Sequence, residues 1–262
     1  MKSISTLVAK DNTLNRSHWL IFLFGITFIS CAPRTHLATV HTGYTSINEN
    51  DKATNPKIDS ILKPYRAELD LTMNEIVGYT GEMLPKSKPE SKLTNLLADI
   101  LATHAAKVSG MKVDLAFINF GGIRLPMLPE GEITKGKIYE LSPFDNKVVI
   151  LQMSGAQLNK LLNAVAASGG WPVSKELRME IIDRKPASVT IHGTPVSENA
   201  TYTIALPDYI ANGGDGLEFL KSIKQIDTKT YLRDAILEYF IDMKNKNQII
   251  DAQLDGRITK KR

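Results

Sequence analysis

Two hydrophobic periods meet within a few residues in the first half of this chain, and together they set its fold class. Leu93, Leu96, Leu97, Ile100, Leu101, His104 and Val108 recur at helical spacing along one face, and Gly110 stops the pattern. Val113, Leu115 and Phe117 then alternate with Asp114 and Ala116, the period-two signature of a strand. Helix and strand patterns interleaved this closely point to a fold that mixes both.

The same switching continues along the chain. Ile58, Ile61, Leu62, Tyr65, Leu69, Met73 and Ile76 form an apolar stripe that predicts a first helix. Lys147 to Met153 reads as a strand, and Ser154 is placed to cap a helix whose face is Leu158, Leu161, Leu162 and Val165, ended by Gly169-Gly170. Ser188 to His192 and Thr201 to Leu206 read as strands, with Gly193 beginning the turn between them. A last helix carries Tyr231, Leu232, Ala235, Ile236, Tyr239, Phe240 and Met243. There is no βαβ repeat, internal repeat or low-complexity block. The predicted class is α/β in the broad sense (α+β), in one domain over residues 58–258, with the ordinary globular composition of 43% hydrophobic and 23% charged residues.

The N-terminus has a different character. Lys2, Lys10 and Arg16 precede an apolar run from Trp19 to Ile29 that ends at Ser30-Cys31, the layout of a secretory signal. The run is about half of the ~20 residues a membrane-spanning helix needs. Cys31 is the only cysteine, so no internal disulfide exists for it to join. Phe28-Ile29-Ser30-Cys31 resembles a bacterial lipobox, which makes Cys31 a candidate lipidation site rather than a leftover thiol. Residues 1–30 then read as a lipoprotein signal peptide and residues 31–57 as a polar tether. The expected location is exported and lipid-anchored to a bacterial membrane, on its periplasmic or surface face. A net charge of +4 gives no clustered basic footprint for nucleic acid, and Thr259 to Arg262 reads as a solvated basic tail.

The five histidines limit metal chemistry. His18 lies in the signal, and His36 and His41 in the tether. His104 sits on the apolar face of a strong helix, where a satisfied core histidine is expected, and His192 at a strand end. No two histidines of the folded region have ligand spacing, so no metal or other cofactor is expected in this chain. A Gly-x-Ser-x-Gly elbow is absent too, as are Walker A and dinucleotide fingerprints.

Two loops remain, each open to a plain and a functional reading. Asn119-Phe120-Gly121-Gly122-Ile123-Arg124 fits a simple tight turn with a surface charge. It also fits a loop whose glycines let backbone approach a ligand while Arg124 presents its fork of donors. The stretch from Leu206 to Gly216 fits a turn built on Asn212-Gly213. It also places an aromatic, Tyr209, six residues before a carboxylate, Asp215, a pairing suited to stacking on a base and accepting from ribose hydroxyls.

Ile118 to Arg124, Leu141-Ser142-Pro143-Phe144, Leu206 to Gly216 and Asp255-Gly256-Arg257-Ile258, in this order and at this spacing, resemble the C-terminal domain of 5′-nucleotidases. The resemblance covers about Ile58 to Ile258. It implies a layered α/β/β/α fold, with helices covering two packed sheets. It implies that Phe144 and Tyr209 sandwich the base, that Asp215 binds the ribose, and that Asn119, Gly122 and Arg124 form the substrate loop, with Arg124 near ribose or phosphate. One departure stands out. A further substrate arginine of the family falls, by register with Thr94-Asn95-Leu96, near Pro89-Glu90, which is not basic, and this moves the emphasis from phosphate towards base and ribose.

The family's Asp-x-His, Gly-Asn-His-Glu and Gly-His-x-His metal motifs do not occur in this sequence. The resemblance therefore implies a nucleotide- or nucleoside-recognition subunit of a split 5′-nucleotidase, inactive alone, with divalent metals carried by a separate metallophosphatase partner. A non-catalytic nucleoside- or nucleotide-binding lipoprotein is the alternative, and a structural partner with a degenerate pocket the third.

Overall fold

The structure, a computed structural model, describes residues 42–43 and 55–261. The signal, Cys31, His18, His36, His41 and nearly all of the tether lie outside the described residues.

Asn55 caps the first helix, α1 (Pro56–Met73), by accepting from the backbone of Lys57 and Ile58. None of its residues is buried, and Ile58, Ile61, Leu62, Tyr65 and Leu69 all face outward. The apolar stripe therefore predicts the helix correctly but not its burial. The turn at Asn74 ends α1, so Ile76 begins strand β1 (Ile76–Thr80) instead of closing the stripe.

The second helix, α2 (Lys92–Ser109), opens with a reciprocal Ser91–Thr94 capping box and closes at Gly110 in the left-handed conformation (φ 68°). Its face from Leu93 to Leu101 is buried, as its period predicts. Between β1 and α2 lies β2 (Leu84–Pro85). After α2 come β3 (Leu115–Ala116), a 3₁₀ turn at Phe120–Gly122, β4 (Met127–Leu128), β5 (Gly131–Thr134), α3 (Lys135–Leu141) and β6 (Lys147–Ser154). Ser154 and Gln157 then make a second capping box that starts α4 (Gly155–Ala167). The remaining elements are β7 (Leu177–Ile182), β8 (Lys185–Ile191), β9 (Thr194–Pro195), β10 (Thr201–Pro207), α5 (Asp208–Ala211), β11 (Gln225–Tyr231), α6 (Leu232–Asn245) and β12 (Ile258–Lys260).

Two four-stranded mixed sheets organise the fold, with orders β11-β6-β10-β3 and β12-β7-β8-β9. β3 runs parallel to β10, and β6 antiparallel to both β10 and β11. Alternate residues of the first sheet serve two different cores. Ala116, Val148, Ile150 and Ala205 join the cluster with α2 and α6, whereas Leu115, Val149, Leu151, Ile204 and Leu206 join the cluster with α4, β7 and β8. The alternation of Leu115 with Ala116 is thus real, but both faces are dry. Helix α4 touches β6 and β10 on one side and β8 on the other, so it contacts both sheets.

Several strand boundaries differ from the sequence reading. The β7–β8 hairpin turns at Asp183-Arg184, both with positive φ (47° and 62°), and offers no glycine to signal it. His192-Gly193 turns β8 into β9, and β8 and β10 belong to different sheets. Tyr231 ends β11 and is not part of the last helix. The expected solvated tail is partly strand: Ile258–Lys260 pair in parallel with β7.

A buried ionic knot ties the C-terminal segment to α2. Arg257, with 4% of its side chain exposed, makes a two-pronged contact with Asp99 at 2.9 and 3.1 Å. It also bonds Asp255 at 3.0 Å and the Val173 carbonyl at 2.9 Å. Glu90 works beside it: one carboxylate oxygen accepts from Asn95 Nδ2 (2.6 Å) and from the backbone of Asp255 (3.0 Å) and Gly256 (3.2 Å).

Candidate functional site

Because β3 and β10 are parallel and β6 opposes them, the loops after β3 and β10 and the loop before β6 meet at one end of the first sheet. They enclose a cavity of about 290 Å³ lined by Asn119, Gly121, Gly122, Arg124, Phe144, Asn146, Tyr209 and Asp215. All six residues singled out as a ligand set in the sequence line this cavity: Asn119, Gly122, Arg124, Phe144, Tyr209 and Asp215.

Local physics holds each loop in place. The Arg124 backbone N–H donates to the Leu141 carbonyl at 2.9 Å, joining the glycine loop to the segment that carries Phe144. Asn119 is buried, and its Oδ1 has no partner among the described residues. A Cβ on Gly122 would meet that oxygen at 2.7 Å, so the close approach needs glycine. The Arg124 guanidinium carbon lies 5.9 Å from the Phe144 ring centre.

Phe144 sits on a short segment clamped by Arg233 of α6. That guanidinium donates to the Pro143 carbonyl (3.3 Å) and to Asp145 (2.6 Å), and lies over the Tyr139 ring at 4.4 Å. Phe144 and Tyr209 are 44% and 46% exposed, unusual for rings next to a well-buried sheet, and both open onto the cavity. Asp208, at the start of α5, accepts from the backbone of Lys147 at 3.1 Å and so fixes the start of β6 to the turn that carries Tyr209. A Cβ on Gly214 would fall 2.5 Å from Tyr209 Cε1, so the ring lies flat against that glycine. Asp215 itself adopts a left-handed conformation (φ 53°, ψ 28°), one that aspartate tolerates better than most residues.

Sequence reasoning missed three neighbours. Asn146 lines the cavity from the start of β6. Lys86 and Lys88 stand beside it, with their ammonium groups 4.0 and 4.8 Å from the centre of the Phe120 ring. Lys86 also donates to the Ile123 carbonyl at 2.6 Å and Lys88 to the Ser168 carbonyl. Burial lowers the pKa of Lys86, helped by the positive charges of Arg124 and then Lys88. Burial also lowers that of Lys88, with the Asp215 carboxylate opposing. The one available signal was Lys-Ser-Lys just ahead of the α2 cap.

A larger groove of about 730 Å³ runs between α2 and α6, but its polar groups are engaged with one another. His104 contacts Glu238 (3.1 Å) and Thr230 (3.1 Å), and Lys107 holds Glu238 at 2.6 Å. His104 is thus the satisfied core histidine its position implied. Among the described residues, no three His, Cys, Asp or Glu side chains are placed together to hold a metal ion, and we derive no metal-dependent step from this chain.

A concave site with rings, an arginine and a carboxylate, at the carboxyl ends of parallel strands, is where an α/β recognition domain places a small ligand. The chain belongs to the 5′-nucleotidase family, as its C-terminal domain: the model for "5'-nucleotidase, C-terminal domain" matches residues 72–222. It is 26% identical over 238 residues to the cell wall protein Lmo0130 of Listeria monocytogenes, covering 80% of this chain and 30% of that protein. It is 26% identical over 239 residues to a probable 5′-nucleotidase of Treponema pallidum, covering 78% of this chain and 40% of that one. Among solved structures, the 5′-nucleotidase precursor of Thermus thermophilus aligns with a TM-score of 0.66 at 27% identity, covering 77% of this chain and 42% of that one. The chain thus spans well under half the length of these relatives.

Proposed function

We propose that this chain is the nucleotide- or nucleoside-recognition subunit of a split 5′-nucleotidase. The observation that carries the reading is the convergence of Asn119, Arg124, Phe144, Tyr209 and Asp215 on one cavity from three separate loops. Phe144 and Tyr209 offer flat faces for a base, and Asp215 offers acceptors for ribose hydroxyls. Asn119 and Arg124 offer polar groups towards the rest of the ligand.

Hydrolysis of a phosphomonoester in this scheme belongs to a separate metallophosphatase carrying the divalent metals, and the chain is inactive alone. Matched relatives include a cell wall protein and proteins named as 5′-nucleotidases, in keeping with an exported nucleotide-catabolic role. The N-terminal pattern adds a lipid anchor at Cys31.

The test is AMP hydrolysis by a candidate metallophosphatase with and without this chain. Stimulation of the rate, lost on Phe144→Ala or Tyr209→Ala, supports the split enzyme. No stimulation, with adenosine or AMP still bound in calorimetry, leaves a binding lipoprotein instead.

A further inference from the structure

We propose that Lys86, Lys88 and Arg124 form an anion-binding rim beside the Phe144–Tyr209–Asp215 cavity, and that the ligand held there is a phosphorylated nucleoside in preference to a free nucleoside. The inference rests on the recognition reading above and narrows its ligand.

Three observations converge on it. First, the three cations lack compensation. None of them forms an ion pair within 4.0 Å in the described residues, whereas Lys92, Lys107, Lys137, Lys147 and Arg233 all do. Their nearest partners are neutral: the Phe120 ring and the carbonyls of Ile123, Ser168 and Gly121. Like charges gathered without a carboxylate repel one another, and a bound anion removes that cost.

Second, the row has a direction. Lys86 senses the charges of Arg124 and Lys88, and Lys88 senses Asp215. The lysines therefore lie along the flank of the cavity between its arginine and its carboxylate. They stand outside its lining, which is where a charged substituent must go. A cavity of about 290 Å³ is at the small end of the roughly 300–1,000 Å³ of ligand sites, so it suits a base and sugar with the phosphate projecting to the rim.

Third, the acidic residue that seemed to weaken phosphate recognition is committed elsewhere. One carboxylate oxygen of Glu90 is occupied by Asn95, Asp255 and Gly256, so Glu90 serves the C-terminal segment and does not oppose the rim. The two preceding lysines, fixed on either side of Phe120, take the cationic role.

Calorimetry on the whole chain with AMP and adenosine tests this. The wild type should bind AMP about tenfold or more tightly than adenosine, the scale of charge-assisted hydrogen bonds. The preference should shrink as salt rises from 50 to 500 mM on screening grounds. Lys88→Gln and the Lys86→Gln/Lys88→Gln pair should bring the ratio of the two affinities towards one, while Lys86→Arg/Lys88→Arg should preserve it. The arginine pair keeps the question answerable if the glutamine pair folds poorly, since a charge-bearing rim must still discriminate. A wild-type ratio near one, or a ratio untouched in a folded glutamine pair, overturns the rim and leaves nucleoside recognition standing. A chain that binds neither ligand overturns both.

Discussion

The Tyr209 hydroxyl donates to Oδ1 of Asp215 at 3.1 Å, so the ring and the carboxylate on opposite sides of a glycine turn are joined before any ligand arrives. The bond draws Tyr209 flat against Gly214 and occupies one acceptor of Asp215, leaving its other oxygen for a ligand hydroxyl. It also separates two contributions of one residue, since the ring can be kept while the hydroxyl is removed.

Tyr209→Phe should fold with stability within about 0.5 kcal/mol of wild type, because the position is half-exposed. It should bind adenosine within about threefold, whereas Tyr209→Ala should lose roughly tenfold or more, in line with ~1–3 kcal/mol per stacked base. Equal losses in the two variants, measured by calorimetry, would mean that the hydroxyl and not the ring carries recognition.

Gly214→Ala places a methyl group 2.5 Å from Tyr209 Cε1 and 2.6 Å from the Tyr209 carbonyl oxygen. Backbone is involved, so the turn must shift. The expected result is weaker binding of AMP and adenosine alike, with a cost of about 1–3 kcal/mol in urea unfolding. An alanine variant with wild-type affinity would show that the ring does not need its present seat.

Arg233 acts through Phe144. Arg233→Met keeps much of the side-chain volume but releases Pro143 and Asp145. It should weaken nucleoside binding several-fold and leave secondary structure unchanged by circular dichroism. Its Asp145 partner is 75% exposed, so the ion pair itself adds little to stability. If binding survives while the melting temperature collapses, Arg233 is a packing residue and no more.

His104 should give the fold a pH dependence. Burial lowers its pKa most strongly, and Lys107 adds to this, against Glu238 and Asp234, which raise it. Thr230 completes its surroundings. With the folded pKa below the ordinary imidazole value of about 6.5, the unfolded chain binds more protons as the pH falls between the two values. The stabilising contribution is therefore complete above the ordinary value and is lost as pH falls through the folded one. Melting temperatures from pH 7.5 to pH 5 should decline for the wild type and decline less for His104→Asn. Identical slopes would contradict this.

Much of this was legible in the chain because short-range rules govern it. The α2 face, the Ser154 cap and the Gly110 and Gly169-Gly170 stops depend on residues within a turn of one another, and so does the glycine loop. The pocket residues were found through a block pattern, and the parallel pairing of β3 with β10 is what gathers those blocks at one end. Features set by distant contacts stayed hidden. The stripe of α1 gave no hint that it has nothing to bury against. The Asp183-Arg184 turn lacks a glycine. Lys86 and Lys88 look like ordinary surface lysines until the fold places Phe120 between them, and Glu90 looks like a loss of charge until Asp255 and Gly256 are found bonded to it.

The Arg257 knot sets an order on folding. Asp99 and Val173, its partners, are made 158 and 84 residues earlier, and β7 receives its parallel neighbour only when Ile258–Lys260 arrives. A chain emerging N-terminus first must hold α2 and the second sheet open at that seam until the last stretch is released. Until then Asp99 lacks its guanidinium and the seam stays wet. The domain closes late and all at once, a property suited to a polypeptide that has to remain unfolded while it is threaded through a narrow channel.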